Sequence, residues 1–296
     1  MLLVALSAAG FGTLALFSHY AYADKMDTFS ILFFRFSLAA LVMFALLIAR
    51  RESLPGGSTL LRLVIMIMGV IGYVASSFAY LTALKYASSG LVALLLYLYP
   101  AFVTVLATLL LHEPFTRIKG LALGIALLGM ALTVDPAGGQ ALGVLLAITA
   151  AAIYAMYIMI GDQVLKRVSV IQSSAVIFAS GGIASGVLML VNGPQLPATQ
   201  TGWIAVLTIV LLTTVLPVMA FLAGLERIGP TNAAMISTLE PVVTVILGAV
   251  WLNEQLRPMT LIGGSLILIA VLLLTHSELR RRPAEPAFAP ISHREA

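Results

Sequence analysis

The chain is a succession of apolar stretches of membrane-spanning length, separated by short polar breaks. A helix rises 1.5 Å per residue, so about 20 apolar residues are needed to cross bilayer hydrocarbon. Residues 2–19, 28–49, 61–83, 90–111, 117–134, 141–161, 170–191, 202–224, 231–252 and 259–276 meet or approach that length. The breaks carry loop chemistry, as in RRESLPGGS, HEPFTR, DPAGGQ, NGPQLPATQ and ERIGP. Only 9% of the residues are charged and 61% are hydrophobic, against about 25% charged in a soluble domain. Twelve acidic and 16 basic residues cannot furnish a water-soluble shell for 296 residues. The expected fold class is therefore an all-α integral membrane protein with ten transmembrane helices. Ala21-Tyr22-Ala23 has the look of a signal cleavage site, but no basic region precedes the apolar run from Leu2, so this run reads as the first helix.

Orientation follows from Lys and Arg. With the N-terminus inside, the inner loops and the tail carry 12 basic residues and the outer loops three (Lys25, Lys85 and Arg257); Arg35 lies within a helix. The positive-inside rule then puts both termini in the cytoplasm, in a multi-pass protein of the plasma (inner) membrane. The basic residues sort by membrane side, which argues against nucleic acid as a partner. There is no cysteine, and His19, His112, His276 and His293 are not spaced as ligand pairs. No metal site and no cofactor are expected.

The chain is also doubled. Shifted by 141 residues, 72–134 aligns on 213–275 without a gap. Pro100 falls on Pro241, Glu113 on Glu254, Tyr80 on Phe221 and Tyr99 on Glu240. The first two helices of each half align at a shift near 142, with Phe36 on Phe178. Five helices per half is an odd number, so the second half enters the membrane upside down. The expected domains are a first repeat over 1–136 (helices 1–5), a second over 137–277 (helices 6–10), and a disordered cytoplasmic tail over 278–296. Inverted repeats of this kind are a plan of secondary transporters, with the substrate site near the midplane.

The second helix reads FFRFSLAAL, and the first half continues FAYLTALKYASSGLVALLLYLYPAFVTVLATLLLHEPFT; the second half carries FLAGLERIGPTNAAMISTLEPVVTVILGAVWLNEQL. In these stretches and their order the chain resembles the EamA family of the drug/metabolite transporter superfamily, from about Leu3 to about Thr275. The resemblance implies ten transmembrane helices, inverted five-helix repeats and a central cavity. It also implies movement of amino acids, other small metabolites or drugs, often outward.

Two deep charges mark a candidate site. Glu240 lies nine residues into its helix from Thr231, near the bilayer centre. An ionised carboxylate there costs at least about 2.5–3.5 kcal/mol, so it must be protonated, paired or facing water. It reads as a substrate-amine contact or a site of proton coupling, or else as a packing hydrogen bond beside Pro241. Ser237, Glu240, Thr244 and Gly248 follow helical steps and form a small polar face. Arg35 is the other deep charge; it reads as a contact for an anion or substrate carboxylate, or as a structural partner of Glu240. Tyr73, Ser77 and Tyr80 share a face of the third helix, and Tyr154 and Tyr157 lie a turn apart on the sixth. The candidate substrate cavity is Arg35, Tyr73, Ser77, Tyr80, Tyr99, Tyr154, Phe221, Ser237, Glu240 and Thr244. Pro100, Pro217 and Pro241 are expected to kink their helices. Gly120 with Gly124, Gly182 with Gly186, and Gly263-Gly264 offer small faces for internal packing or for a homodimer. Glu113 and Glu254 read as structural helix ends.

The chain shows no nucleotide loop, zinc motif or hydrolase constellation, and no enzyme is expected. The function expected is alternating-access transport of small metabolites, most directly export of amino acids or related amphipathic compounds. A non-transporting helical membrane protein, such as a lipid-interacting subunit or sensor, is the alternative, as is a transporter of drugs or nucleobase-type metabolites. The partners expected are a small-molecule substrate and membrane lipid, with the chain monomeric or homodimeric.

Overall fold

The computed structural model describes residues 1–296 apart from 57, 84–85, 88–91, 93–94, 113, 134–139, 252–257 and 282–296. The regular elements among the described residues are helices. Helix α1 is Leu2–Ala23, turned at Thr13, whose hydroxyl donates to the Gly10 carbonyl. Helix α2 is Thr28–Ala49, started by Asp27, which accepts from the Ser30 N–H. Helix α3 runs as Thr59–Ile67, a π-helical stretch Met68–Ala75, and Ser76–Ala83. Then follow α4 (Tyr99–Leu110), α5 (Arg117–Thr133) and α6 (Ala141–Leu165). Helix α7 (Val170–Asn192) opens with a capping box in which Ser169 and Gln172 satisfy each other's backbone. Helix α8 runs as Gln200–Val210, a π turn Leu211–Val215, and Leu216–Ile228. Helix α9 is Pro230–Ile236, a 3₁₀ turn Ser237–Leu239, and Glu240–Trp251. Helix α10 is Pro258–Arg281.

Among the described residues six helical runs are long and apolar enough to cross a membrane: Leu2–Ala23, Thr28–Ala49, Thr59–Tyr80, Ala141–Leu165, Val170–Asn192 and Gln200–Ile228. Tyr99–Leu110 and Leu261–Leu273 are shorter apolar helices. The chain is thus a multi-pass membrane protein. The last helix continues to Arg281, past the boundary expected at 276, because nothing in THSELRR stops a helix. The rest of the expected tail lies outside the described residues, as do Glu113, Glu254, Lys85 and Arg257.

The prolines lie beside changes of helix type. None sits in the middle of a regular helix. Pro100 follows a turn at 97–98, Pro217 follows the π turn, and Pro241 follows the 3₁₀ turn, each in the first helical turn after a break. A proline just after a break disturbs a helix less than one in a regular interior, but α8 is continuous through its π turn, so Pro217 still leaves the Thr213 carbonyl without its donor four residues on.

Packing joins the two halves throughout. Helix α2 lies along α7, α5 along α10, α1 against α8, α3 against α6, and α4 against the start of α9. Small residues permit the approach. A Cβ on Gly182 would stand 2.9 Å from Ser37 Oγ, and one on Gly186 3.1 Å from Phe33. A Cβ on Gly129 would stand 2.6 Å from the Gly263 carbonyl oxygen. These glycines serve contacts within the chain, while a Cβ on Gly124 would meet nothing within 4 Å.

The α2–α7 pair is tied at both ends. At one, Ser30 Oγ accepts from Gln195 N–H (2.9 Å), and Asp24 Oδ2 accepts from the N–H groups of Ala198 (2.8 Å) and Thr199 (3.1 Å). At the other, Gln172 Nε2 donates to the Ser53 carbonyl (2.9 Å), and the Ser169 hydroxyl donates to Glu52 (2.7 Å). Ser30 and Gln172, and Ser53 and Gln195, are counterparts under the 142-residue shift.

Candidate functional site

The site is built around the two irregular stretches of α8 and α9. Pro217 has no N–H, so the Thr213 carbonyl four residues earlier lacks its helical donor. That carbonyl accepts from Arg35 Nη2 at 3.3 Å. Beside it, Thr214 Oγ1 accepts from Arg35 Nε at 2.7 Å while donating to the Ile209 carbonyl, five residues back, at 2.9 Å. The threonines are fully buried and Arg35 is 7% exposed. Among the described residues Arg35 forms no salt bridge, so the direct pair with Glu240 entertained from sequence is not made. The guanidinium carbon lies 5.4 Å from the Phe36 ring centroid.

From Phe36 a continuous series of ring contacts crosses the protein. Phe36 meets Tyr73 edge-on at 5.4 Å, and Tyr73 meets Tyr157 edge-on at 5.1 Å. Tyr157 stacks on Tyr154 at 5.9 Å, Tyr154 meets Tyr99 edge-on at 4.9 Å, and Tyr99 lies 6.1 Å from Tyr97. Such contacts add about 0.5–1.5 kcal/mol each beyond burial. The buried Tyr157 hydroxyl faces Tyr73 but completes no hydrogen bond among the described residues. The Tyr99 hydroxyl approaches Ser237, whose own hydroxyl donates to the Ala233 carbonyl at 2.9 Å.

Glu240 starts the second segment of α9, directly after the 3₁₀ turn, and stays half-buried. It lies within electrostatic range of Arg35 and of Tyr73, Tyr80, Tyr97, Tyr99 and Tyr154. Side chains from α2, α3, the approach to α4, and α6 therefore converge on one carboxylate. Thr244 donates to the Gly12 carbonyl of α1 (3.0 Å) and to the Glu240 carbonyl (3.2 Å), so its hydroxyl is spent on packing. A Cβ on Gly12 would stand 2.8 Å from the Glu240 carbonyl oxygen, so α1 runs against the backbone at the break.

The other candidates divide. Phe221 is buried in the main core. Tyr80 packs against a small separate cluster of Ala83, Val92 and Ala147 while remaining in range of Glu240. Ser77 is half-buried, and it is its neighbour Ser76 that bonds to α6, donating to the Ala150 carbonyl at 3.4 Å. The backbone around Pro241 is described and its side chain is not. Sequence reasoning did not single out Phe36, Thr213 or Thr214 as site residues, and it noted Tyr157 only as a turn from Tyr154. The signal for the threonines was a hydroxyl pair four and three residues before a proline in the apolar run LLTTVLP. Among the described residues no group of acidic or histidine side chains is arranged to hold a metal ion.

A membrane-embedded helical fold closed around a polar, tyrosine-lined centre defines a polytopic protein of transporter type. The chain belongs to the EamA-like transporter family, whose model matches twice, over residues 1–135 and 141–276. An uncharacterized transporter of Archaeoglobus fulgidus is 26% identical over 274 residues, covering 91% of this chain and 94% of that protein. An uncharacterized transporter of Synechocystis, sll1319, is 26% identical over 205 residues, covering 67% of this chain and 62% of the relative. The uncharacterized inner membrane transporter YedA of Escherichia coli is 22% identical over 260 residues, covering 87% and 84%. A protein crystal structure superposes with a TM-score of 0.80 at 20% identity, over 94% of this chain and 97% of the other, which establishes the fold.

Proposed function

We propose that the protein is an alternating-access transporter of small metabolites, exporting amino acids or related amphipathic compounds through a midplane cavity. The observation that carries this reading is the convergence on Glu240: a half-buried carboxylate ringed by tyrosines, with Arg35 in electrostatic range but unpaired. A zwitterion offers an ammonium to Glu240 and a carboxylate to Arg35, and its apolar part matches the rings. Tyr73, Tyr99 and Tyr154 line this path, with Tyr80, Ser77, Phe221, Ser237 and Thr244 around it. An intramembrane ionisable residue is by default a site of transport or proton relay, so Glu240 is the proposed point of proton coupling.

The helix pairing supports ten spans arranged as two inverted five-helix repeats. Exchanging the halves turns the α1–α8 contact into the α6–α3 contact, and maps α2–α7 and α5–α10 onto themselves. The π-helical stretches fall at corresponding places, Met68–Ala75 and Leu211–Val215. The distribution of Lys and Arg supports cytoplasmic termini in the inner membrane.

Flux of a labelled amino-acid panel in proteoliposomes tests the reading. Outward or exchange flux of at least one member is expected, and no flux by folded protein overturns it. Replacement of Glu240 by Gln is expected to flatten the pH dependence of flux; an unchanged profile removes the coupling role.

A further inference from the structure

Arg35 is held in a way that leaves one edge of its guanidinium open. The Nε–Nη2 edge is filled: Nε by Thr214 Oγ1 at 2.7 Å and Nη2 by the Thr213 carbonyl at 3.3 Å. Phe36 stands beside the guanidinium at 5.4 Å. The Nη1–Nη2 edge has no hydrogen-bond acceptor among the described residues, and no carboxylate forms an ion pair with it. That second edge is the fork whose two parallel N–H groups match a carboxylate bidentately. An arginine only 7% exposed in a membrane-spanning protein, with no ion-paired carboxylate among the described residues, is an incomplete arrangement.

We infer that the π turn Leu211–Val215, with Pro217, builds a carboxylate-binding subsite. Thr214 and the freed Thr213 carbonyl are its positioning groups, and Arg35 is its ligand-touching residue. The inference rests on the transport reading and assigns one end of the substrate. The positioning groups act by direction. They hold the guanidinium by its side edge against α8, away from Glu240. Without them the shortest relief for Arg35 is to close on Glu240, which cancels both charges and removes the subsite. The counterpart positions show the device to be particular to this half: Ile177 stands where Arg35 would repeat, and Tyr73 where Thr214 would.

The test uses full-length purified protein and pairs of probes, amino acids and their carboxamides, at fixed ionic strength. The melting temperature is expected to rise with at least one acid and not with its amide. Thr214→Val is expected to abolish that rise and, for a transported member, to raise KM about tenfold with kcat little changed, since one hydrogen bond to a charged group is lost. Thr214→Ser, which keeps the hydroxyl, is expected to behave as the wild type. Pro217→Ala, which restores an N–H to compete for the Thr213 carbonyl, is expected to weaken the acid in the same direction as Thr214→Val. Equal stabilisation by acid and amide, or Thr214→Val with an unaltered melting shift and KM, overturns the inference. Binding of acids without flux of any of them keeps the subsite and rejects the transport reading, so the two failures are distinct.

Discussion

At the scale of single residues, charges in this protein are placed by backbone geometry. Arg35 takes a carbonyl that Pro217 releases, and Glu240 stands at a helix start made by the 3₁₀ turn before it. Asp24 is the surface example. It lies between α1 and α2, and the Thr199 N–H, with help from the Thr199 hydroxyl and the Ala198 N–H, holds its carboxyl below the usual carboxylate range. A carboxylate with a lowered folded-state pKa stabilises the fold above its unfolded value, about 3.9, and loses that contribution as pH falls through the folded value. Asp24→Asn is therefore expected to melt below the wild type at neutral pH. The gap is expected to close as pH drops below the ordinary aspartate range, in melting curves recorded from pH 7 down to 3. A gap that does not depend on pH rejects this account. Arg35 and Glu240 were legible from sequence because charge is scarce in these segments. The threonines that hold Arg35 were not, since Thr214 lies 179 residues away and looks like an ordinary helix residue.

At the scale of elements, the breaks matter more than the helices. Apolar periodicity runs straight through Leu211–Val215 and Ser237–Leu239, so the sequence pattern reads them as continuous helix. The prolines marked the places, and the structure adds the changes of helix type that precede Pro217 and Pro241. The repeat did register that Tyr99-Pro100 and Glu240-Pro241 are equivalent, and both pairs start a helical segment after a turn. What it left open was which surfaces touch. Gly69, in the π stretch of α3, is the clearest case, since a Cβ there would run into Ser180 Oγ and the Ile177 carbonyl of α7. Gly69→Ala is expected to destabilise by about 1–3 kcal/mol through overpacking. Gly124→Ala, on an open face of α5, is expected to be neutral or to stabilise by up to about 1 kcal/mol through helix propensity. Melting temperatures of the two variants in one detergent check the contrast. Equal losses at both sites contradict the packing described.

At the scale of the whole molecule, α2 and α7 form a strut joined at both ends and stacked at Phe36 on Phe178 in the middle, 6.3 Å apart. If transport requires the two halves to move, this seam is expected to move least. The chain has no native cysteine, so Ser30→Cys with Gln195→Cys, and Ser53→Cys with Gln172→Cys, place thiol pairs on a clean background. Cross-linking either pair with a short thiol reagent is expected to leave flux within about twofold of the reduced protein; loss of flux on cross-linking either pair shows that the seam opens. The contacts between early and late helices bear on how the protein is made. Ser7 donates to the Pro217 carbonyl, Thr244 to the Gly12 carbonyl, and Asp24 waits for Thr199, across separations of 210, 232 and 175 residues. The helices that leave the ribosome first thus carry faces whose partners have not yet been translated. During synthesis the early helices must wait in the bilayer, with Arg35 still lacking Thr214, until α8 arrives. Biogenesis of this chain is an assembly of late-arriving partners, and the buried arginine is the one that waits with a charge.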